Sequence, residues 1–359
     1  MKSSAFPGLF LFCRSGYESD CAAEIQFLAN KFGCQGYCKT KPDSGHVLFC
    51  TADQTTAQKL YEKIDFSQLI FARQWFVLYA WLKDLPQQDR ISPVIDCLRE
   101  IISEFGLTIK QTVIQQSSPE AKDNIQRFVS SLTPLLLKAI KKHLSPAPAE
   151  HSHDRSLLQL CFVDTQQLFL GYLPQGVDWA GGIPRLKIPA SAPSRSYLKL
   201  EEALIRFIPE KQREHCLAPG MSATDLGAAP GGWSWLLIQN HLKVMAVDNG
   251  PLKTHLLDSG LCTHIRQDAF SYEPGQRCDW LVCDIVDKPL RVLALIRRWL
   301  SNRWCHRVIF NLKLPMQQRF RFIQKELFPW LQELQRDNLI TNWQAKHLYH
   351  DRHEITLLL

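Results

Sequence analysis

The pattern of apolar and polar positions predicts a small α/β unit in the first 60 residues. The apolar run from Leu9 to Phe12 lies in a predicted strand at 8–13, and a second strand is predicted at 45–50. Between them, residues 17–32 have helical spacing, and Gly33 ends the predicted helix. One face of that helix carries Ala22, Ile25, Leu28 and Ala29. The order strand, helix, strand predicts a βαβ-like unit.

A second unit with longer helices follows. Residues 69–81 are rich in aromatic and aliphatic side chains and predict a strand with its approach. Ser92-Pro93 predicts the start of a helix, as N-cap and first helical residue, and residues 107–114 predict another strand. A further helix is predicted from Ser118-Pro119 to about residue 144, and Pro134 must kink or split it.

A polar, proline-rich break separates this pattern from the next elements. Residues 145–154 predict a loop, whose His151 and His153 are expected to be solvated rather than metal ligands. Residues 157–163 and 168–172 then predict a hairpin. A Pro- and Gly-rich linker follows and ends the N-terminal half.

After the linker, apolar strands alternate with helical stretches in one α/β pattern. The predicted strands are residues 222–226, 244–248, 280–284 and 308–314. Because buried strands that alternate with helices form parallel sheets, we predict a mostly parallel, Rossmann-like sheet with helices on both faces. Ligands of such sheets bind at the carboxyl ends of the strands, where Asp225, Asp248 and Asp284 fall.

Composition bounds the class of protein without identifying a function. The length of 359 residues favours two or three domains, and 45% hydrophobic with 21% charged residues is typical of a globular protein. The net charge of +7 is compatible with a polyanionic partner and does not establish one. The 12 cysteines form no Cys-x-x-Cys pair, so we expect free thiols, no metal and a cytoplasmic location. No apolar run is long enough to cross a bilayer, and no membrane partner is expected.

Candidate chemistry begins at Thr224-Asp-Leu-Gly-Ala-Ala-Pro-Gly-Gly-Trp233, where a predicted strand leads through a glycine turn into a helix. Glycine has no Cβ, so the backbone amides of such a turn can come close to a ligand. The spacing differs from the Gly-x-Gly-x-x-Gly fingerprint of dinucleotide sites, and Pro230 occupies the turn. A nicotinamide cofactor is therefore disfavoured, and a Gly-Pro turn without a ligand is the alternative.

The stretch from Asp225 to Trp233 resembles the S-adenosylmethionine (SAM) loop of the FtsJ-like RNA ribose methyltransferases. Asp248, after the next strand, would accept hydrogen bonds from the ribose hydroxyls of the nucleoside, and Asp268 would suit its adenine amino group. Either residue taken singly is more often a helix cap or a turn residue. The resemblance implies SAM contacts from Ser196, Ala229, Pro230, Gly231, Gly232, Asp248, Asp268 and Asp284, and requires no metal.

A Lys-Asp-Lys-Glu tetrad serves ribose 2′-O-methylation in that family, and four positions here match it residue by residue. Lys199 ends Pro193-Ser-Arg-Ser-Tyr-Leu-Lys199, and Asp284 ends Cys278-Asp-Trp-Leu-Val-Cys-Asp284. Lys313 follows Ile309-Phe-Asn-Leu, and Glu354 lies in Arg352-His-Glu-Ile-Thr356. The resemblance covers residues 193–359 and implies that these four residues are catalytic.

The chemistry of the tetrad follows from the weak acidity of a ribose hydroxyl, whose attack on the SAM methyl requires help in losing a proton. A lysine is a base only when it is neutral, which burial and a nearby cation favour. We predict Lys313 as the general base and Lys199 as that cation, with Asp284 and Glu354 orienting the ammonium groups. Because a sulfonium leaves readily, alignment supplies the rest. The alternative for Lys313 is a strand-end lysine that extends into water.

Over its whole length the chain resembles the bacterial large-subunit ribosomal RNA cytidine 2′-O-methyltransferases that carry an N-terminal THUMP region. The resemblance implies a ferredoxin-like unit at 1–60, a THUMP-like RNA-binding domain at 61–173, a linker at 174–192 and a methyltransferase domain at 193–359. It also implies large-subunit ribosomal RNA as the partner, before the subunit is fully assembled. A monomer is expected. Cytidine rests on the resemblance alone.

A basic strip before the glycine turn is a candidate RNA contact. Its arginines and lysines would bind phosphates, and its tyrosine would stack on a base. A solvated charged face is an equal alternative. The strip consists of Arg185, Lys187, Arg195, Tyr197 and Lys199.

Two sequence features of the C-terminal half argue against other methyltransferase activities. Asp284-Ile-Val-Asp287 stands where base-amino methyltransferases carry an Asn/Asp-Pro-Pro-aromatic motif. Cys283 is expected to face away from Asp284 into the core, not to act as a cytosine-C5 nucleophile. The main alternative is an RNA-binding protein with a degenerate, non-catalytic methyltransferase fold, which the intact tetrad disfavours. A Rossmann oxidoreductase is the second, disfavoured by Pro230.

Overall fold

The computed structural model describes residues 4–106, 108–118, 123–144, 155–173 and 180–359. The chain forms two compact units, Met1–Ile183 and Pro184–Leu359. The predicted loop at 145–154 with its two histidines, the helix start at Pro119 and part of the predicted linker lie outside the described residues.

The N-terminal unit contains one seven-stranded sheet with helices between its strands. The strands are β1 (Ser4–Phe12), β2 (Tyr37–Thr40), β3 (His46–Cys50), β4 (Gln74–Leu82), β5 (Thr108–Gln116), β6 (Arg155–Phe162) and β7 (Leu168–Leu173). The helices are α1 (Glu18–Lys31), α2 (Gln54–Lys63), α3 (Ile91–Phe105) and α4 (Asp123–His143). Short 3₁₀ turns lie at Phe66–Gln68 and Ala180–Gly182.

The order of this sheet is β2-β3-β1-β4-β7-β6-β5, and among its described strands only β5 and β6 pair in parallel. The predicted βαβ-like unit is wrong, because β1 and β3 pair antiparallel, with Phe10 opposite Leu48. The sequence also missed β2, whose residues Tyr-Cys-Lys-Thr are largely exposed and so show no apolar alternation. The predicted hairpin is confirmed: β6 and β7 pair antiparallel, with Phe162 opposite Leu168.

One predicted helix start in this unit needs correction. Helix α3 begins at Ile91, and the carboxylate of Asp89, not Ser92, accepts the first free N–H groups, those of Ile91 and Ser92, both at 3.0 Å. Helix α4 continues through Pro134 and is not split there, and a kink at this residue stays a prediction.

Strands from both predicted N-terminal domains share this sheet. Strand β1 pairs with β4, and Phe10 stacks on Phe76 across that pair, with ring centroids 4.9 Å apart. Such stacking adds to the apolar burial that holds the two strands together. The division between residues 60 and 61 therefore stays a prediction, since the structure forms one compact unit there.

The C-terminal unit contains a second seven-stranded sheet. Its strands are β8 (Ser222–Leu226), β9 (Lys243–Val247), β10 (Cys262–Ile265), β11 (Cys278–Cys283), β12 (Cys305–Lys313), β13 (Gln344–Lys346) and β14 (Glu354–Leu358). Its helices are α5 (Tyr197–Phe207), α6 (Glu210–Cys216), α7 (Gly232–Gln239), α8 (Thr254–Leu257), α9 (Pro289–Ser301), α10 (Arg319–Phe322) and α11 (Phe328–Arg336). A π-helical turn, Ile323–Leu327, joins α10 to α11.

The order of the second sheet is β10-β9-β8-β11-β12-β14-β13. The first five of these strands are parallel, which confirms the mostly parallel sheet, and β14 pairs antiparallel with both β12 and β13. Because β8 lies between β9 and β11, the turn after Leu226 opens at the carboxyl edge beside Asp248 and Asp284. No helix within the described ranges is long and apolar enough to cross a membrane.

Candidate active site

The glycine turn after β8 adopts backbone conformations that side chains rarely take. Gly227 has φ 76° and Gly231 has φ 112°, and the peptide bond between Ala229 and Pro230 is cis. A Cβ on Gly231 would lie 2.1 Å from Cδ1 of Leu256. Gly231 is therefore required both by its φ and by the space around it. Helix α7 begins at Gly232, one residue before the predicted start.

The segment before α5 packs against the start of α7. A Cβ on Gly232 would lie 2.3 Å from Oγ of Ser196, and the indole N–H of Trp233 donates to the carbonyl oxygen of Ser196 at 3.0 Å. Ser194 and Ser196 share a hydroxyl hydrogen bond of 2.6 Å. Two predicted parts of the cofactor site, distant in sequence, are thus in contact.

Asp248 connects the glycine turn to the end of β9. Its two carboxylate oxygens accept from the backbone N–H groups of Ala229, at 3.0 Å, and Gly250, at 2.7 Å. Because a carboxylate has about four acceptor sites, capacity for two ribose hydroxyls remains. Asp268, three residues after β10, is exposed and accepts from the N–H of Phe270 at 3.0 Å. Both residues stay predicted cofactor contacts.

Three members of the predicted tetrad form one ionic cluster. The ammonium of Lys199 lies 3.1 Å from Oδ1 of Asp284 and 2.8 Å from Oε1 of Glu354. The three side chains are only 16–17% exposed, so solvent screens their charges weakly. These residues come from α5, from the end of β11 and from the start of β14.

The protonation of this cluster follows from its burial and charges. Burial disfavours a charged lysine, but the neighbouring Asp284 and Glu354 outweigh it and raise the pKa of Lys199. Burial also opposes ionisation of Glu354, yet the hydrogen bond and charge of Lys199 lower the pKa of that carboxyl group. The pKa of Asp284 is raised by burial, against the opposing effect of Lys199. Lys199 is therefore a fixed cation at neutral pH.

Lys313 lies in different surroundings. It is exposed at the end of β12, opposite Glu354 in the antiparallel register with β14. Across the described part of the chain, no hydrogen bond or ion pair reaches its ammonium group. The two carboxylates were expected to orient both lysines, and in this structure they hold Lys199 alone.

A cavity of about 450 Å³ brings both lysines to one surface. Ser196, Asp284 and Glu354 line it as well, so the four predicted catalytic residues meet there with two predicted cofactor residues, Ser196 and Asp284 itself. Sequence reasoning missed several basic or amide side chains of its wall, although some of them adjoin Glu354 in the sequence. These are Asn311, His350, Arg352 and His353.

Two buried acids to which the sequence analysis assigned no role support this wall. Glu202, on α5, accepts from the N–H groups of Tyr349, at 2.9 Å, and His350, at 3.0 Å. Asp351 is fully buried and accepts from the N–H of Leu348 at 3.0 Å. The spacing of Glu202 from Lys199 on one helix was the available signal, because residues three apart share a face.

The basic strip needs correction at two positions. Tyr197 is 1% exposed, packs on Trp235 at a centroid distance of 5.2 Å and donates its hydroxyl to the carbonyl of Lys187. Its ring cannot stack on a base, because it is buried among apolar side chains of the core. Lys199 is bound in the ionic cluster. Arg185, Lys187 and Arg195 are exposed.

Two other residues of the predicted ligand edge are buried. Cys283 is fully buried, as expected, and burial raises its pKa to about 12. Asp225 is also fully buried and accepts from the hydroxyl of Ser234 at 2.7 Å. Over the described ranges, no group of three or more His, Cys, Asp or Glu could hold a metal ion.

The site thus combines a glycine turn, a carboxylate that anchors it, a fixed cation and an exposed amine that lines the same cavity. Such a surface can bind an anionic substrate next to a nucleoside-type ligand, and the amine can take a proton when it is neutral. The basic residues Arg195 and Arg352 extend this surface at its exposed rim.

Comparison with known proteins gives matches in both halves of the chain. Residues 6–76 match the RlmM ferredoxin-like domain, and residues 192–301 match the FtsJ-like methyltransferase family. These matches confirm a ferredoxin-like part followed by a Rossmann-like methyltransferase domain, whereas the THUMP assignment stays a prediction.

Full-length relatives carry the name ribosomal RNA large subunit methyltransferase M. The chain is 44% identical over 350 residues to the protein of Cellvibrio japonicus, which covers 97% of both chains. It is 42% identical over 356 residues to that of Shewanella pealeana, which covers 98% of this chain and 97% of the other. It is 40% identical over 355 residues to that of Psychromonas ingrahamii, with 98% and 95% covered.

Proposed function

The chain belongs to the ribosomal RNA large subunit methyltransferase M family, and from that premise we propose that Lys313 takes the proton from a ribose 2′-hydroxyl in large-subunit ribosomal RNA. The protein is a SAM-dependent methyltransferase of that RNA. The methylated ribose is that of a cytidine. The observation that carries the proposal is the exposed Lys313 on the cavity that also contains the ionic cluster of Lys199, Asp284 and Glu354.

The glycine turn suits a SAM nucleoside, because Gly231 and Gly232 let the backbone pack closely on Leu256 and Ser196, where a Cβ would collide. The close packing leaves the backbone amides of the turn free to approach a ligand. Ser196 and residues 229–232 form one side of the proposed cofactor site, and Asp248 with Asp268 follow the next two strands. Asp284 belongs to both the proposed cofactor site and the catalytic cluster. When SAM is bound there, it supplies a methyl group on a positively charged sulfur.

Lys199 and Lys313 have different proposed roles. Lys199 keeps its proton because two carboxylates hold it, so it is a permanent positive charge beside the reacting hydroxyl. That charge stabilises the alkoxide as it forms. Bound RNA would cover Lys313 and remove water from its amine. Lys313 can then accept the proton as the methyl group is transferred.

The exposed rim is proposed to bind the RNA backbone. Arg195 and Arg352 lie on the cavity wall, where they can contact the phosphates on either side of the target ribose. We assign the reaction to RNA that is not yet fully assembled into the subunit, and the protein to a cytoplasmic monomer. The 12 free cysteines agree with a reducing compartment.

Nucleoside mass analysis of ribosomal RNA from cells with and without this protein tests the proposal. We expect one 2′-O-methylcytidine to disappear and to return with the wild-type chain but not with Lys313→Ala. Loss of a base-methylated nucleoside instead would contradict the ribose assignment. Incubation with free RNA and with assembled subunits, using purified protein, would then show which substrate is modified.

A further inference from the structure

A chain of hydrogen bonds runs from the ionic cluster into the core. The side-chain amide of Asn311 donates to Oδ1 of Asp284 at 2.7 Å. The hydroxyl of Thr356 lies 2.7 Å from Oδ1 of Asn311 and 3.1 and 3.0 Å from the two oxygens of Asp351. Asn311, Thr356 and Asp351 are at most 3% exposed, so water does not complete their hydrogen bonds.

The antiparallel strands β12 and β14 place these hydrogen-bonded residues next to the cross-strand pair of Lys313 and Glu354. Asn311 stands opposite Thr356 in the register of β12 and β14, two residues from the opposed Lys313 and Glu354. Residues two apart on a strand share a face. Asn311 and Thr356 therefore form the next cross-strand pair on the face that carries the proposed base.

The hydrogens in this chain can be counted. Asn311 donates to Asp284 through its NH₂ group, so its oxygen must accept, and the hydrogen at that oxygen comes from Thr356. A hydroxyl has only one hydrogen to give. The contact of Thr356 with Asp351 then requires a hydrogen from Asp351, which must be a carboxylic acid rather than a carboxylate.

Reversal of the amide does not remove this requirement. Its oxygen would then face a carboxylate oxygen of Asp284 at 2.7 Å, and Asp284 would have to carry the hydrogen. The ammonium of Lys199 lies 3.1 Å from that same oxygen and favours an ionised Asp284. The extra proton therefore belongs at the Asp351 end, where the N–H of Leu348 occupies one of the two oxygens.

The groups around Asp351 agree with a neutral acid. Burial is the main cause that raises the pKa of Asp351, and the negative charges of Glu354 and Glu202 add to it. The hydrogen bond from Leu348 and the positive charge of Lys199 act in the opposite direction. The direction of the shift thus matches the count of hydrogens.

We propose that Asp351 is a positioning residue, which in its protonated form acts through Thr356 and Asn311 to hold Asp284 against Lys199. This inference rests on the proposed function of the cluster. Asp351 fixes the direction of the Thr356 hydroxyl, which fixes the amide of Asn311. The amide NH₂ donates to Asp284 and so holds its carboxylate in one orientation. The carboxylate in turn keeps the ammonium of Lys199 directed at the cavity.

Substitutions that keep or remove single hydrogen bonds test the chain. Thr356→Val leaves the oxygen of Asn311 without a donor, and we expect the single-turnover rate of methyl transfer to fall about ten- to hundredfold. The KM for RNA and the calorimetric SAM affinity should stay within about twofold, because Thr356 touches neither ligand. Thr356→Ser keeps the hydroxyl and should react at nearly the wild-type rate.

Asp351→Asn is the matched variant for the protonation state. Its NH₂ group can replace the acid hydrogen while its oxygen accepts from Leu348, so we expect a rate close to that of the wild type. Infrared difference spectra of the wild type against this variant should contain the carbonyl band of a protonated carboxylic acid at neutral pH. Thermal unfolding and SAM binding show whether each variant is folded.

The outcomes separate this inference from the proposed function. A wild-type rate in Thr356→Val, a large loss in Asp351→Asn, or a carboxylate band alone in the infrared spectrum would overturn the positioning role. A wild-type protein that methylates no ribose would overturn the proposed function, whatever the variants do. Lys313→Ala serves as the reference for lost chemistry in the same assay.

Discussion

The two lysines of the site differ in electrostatic environment, although both line one cavity. Lys199 lies between two carboxylates and is mostly shielded from water, whereas Lys313 is exposed and contacts no acidic group in the described ranges. A proton held between two anions is difficult to remove, so Lys199 is unsuited to be the base. As the proposed base, the exposed Lys313 can exchange its proton with water between turnovers.

Lys313→Ala is expected to lower the single-turnover rate by about 10² to 10⁴, the usual contribution of a general base. SAM affinity, measured by calorimetry, should change little, because the lysine is proposed to contact the reacting hydroxyl rather than the cofactor. In the wild type the rate should rise with pH as the fraction of neutral lysine increases, and this rise should be absent in the variant. The measurement is a set of single-turnover time courses across pH.

Lys313→Arg is the control for charge without basicity. Arginine stays protonated at any workable pH, so this variant should be as slow as Lys313→Ala. A near wild-type rate in Lys313→Arg would show that the residue acts through its charge or its position, and that the proton leaves to another acceptor or to water.

Asp225 gives a prediction on stability. Burial raises its pKa to about 7, although the hydrogen bond from Ser234 favours the ionised form. An unfolded aspartate titrates near pH 4, so between about pH 4 and 7 the folded state holds a proton that the unfolded chain has released. Stability should therefore fall as pH rises, by at most about 1.4 kcal/mol per pH unit.

Asp225→Asn should remove that part of the pH dependence. Urea unfolding at several pH values should show the variant gaining stability relative to the wild type from about pH 4 to 7, with a constant difference above. Asp258→Asn, at an exposed position of the same unit, is the control and should run parallel to the wild type. Parallel curves for Asp225→Asn as well would contradict the raised pKa.

At the scale of elements, the glycine turn is the part of the structure that is proposed to position the cofactor. The turn is held from three sides, by Asp248 through the N–H of Ala229, by Ser196 against Gly232, and by Leu256 under Gly231. Because these contacts come from different elements, a displacement at any one of them moves the backbone amides that would face a ligand. The conformation of the turn therefore depends on all three contacts.

Gly231→Ala should weaken SAM binding by about tenfold or more, while the protein stays folded. The new Cβ would lie 2.1 Å from Leu256, and φ 112° is unfavourable for alanine, so the turn must shift. Gly260→Ala is the matched control, because Gly260 also has a positive φ but no atom within 4 Å of the new Cβ. Calorimetric SAM affinities of both variants decide the question.

The matched pair separates two causes of any loss. If both variants bind SAM with the wild-type affinity, the cofactor assignment of the turn fails. If both lose affinity equally, backbone strain and not the turn itself is responsible. Asp248→Ala, which removes the anchor of Ala229 and the proposed ribose acceptor, should behave like Gly231→Ala.

The elements that sequence reasoning placed well are those with a strong local pattern. Strand β8 matches its predicted bounds, because a strand buried over four of its five residues and followed by glycines has few alternatives. The predicted start of α3 was wrong, because both Asp89 and Ser92 are residue types that cap helix N-termini. Which of them accepts the free N–H groups depends on the folded backbone, and here it is Asp89. Tyr197 was misassigned because its burial depends on Trp235, which is distant in sequence.

The candidate site was predictable at the residues to which the family motif gives a role. It was not predictable at the residues that contact this tetrad from the core. The four tetrad positions were found from the motif, and the structure brings three of them into one ionic cluster. Asn311, Thr356 and Asp351 lie inside or next to the motif segments, but the motif gives them no role, and their relation to Asp284 depends on the register of β12 against β14. A register between strands distant in sequence cannot be read from either strand alone.

At the scale of the whole molecule, the division into two compact units predicts separable tasks. Residues 184–359 contain the entire cavity and all proposed cofactor residues. The isolated C-terminal unit should therefore bind SAM with an affinity close to that of the full chain. It should methylate RNA far more slowly at low RNA concentration, if the N-terminal unit recruits the substrate.

Salt dependence provides the control for recruitment. Each phosphate contact that the N-terminal unit makes should steepen the fall of RNA affinity with salt, so the full chain should show a steeper slope than the truncated one. Filter binding at several salt concentrations measures both slopes. Equal slopes together with full activity of residues 184–359 on short oligonucleotides would remove the recruitment role.

The strand order of the N-terminal sheet has a consequence for synthesis of the chain on the ribosome. Strand β1 is synthesised first and lies between β3 and β4 in the sheet. The other neighbour of β4 is β7, which is synthesised about ninety residues later. Until β7 has left the exit tunnel, one edge of β4 has no neighbouring strand to pair with. Nascent chains that stop before residue 168 should therefore be the protease-sensitive and chaperone-dependent stage of biosynthesis.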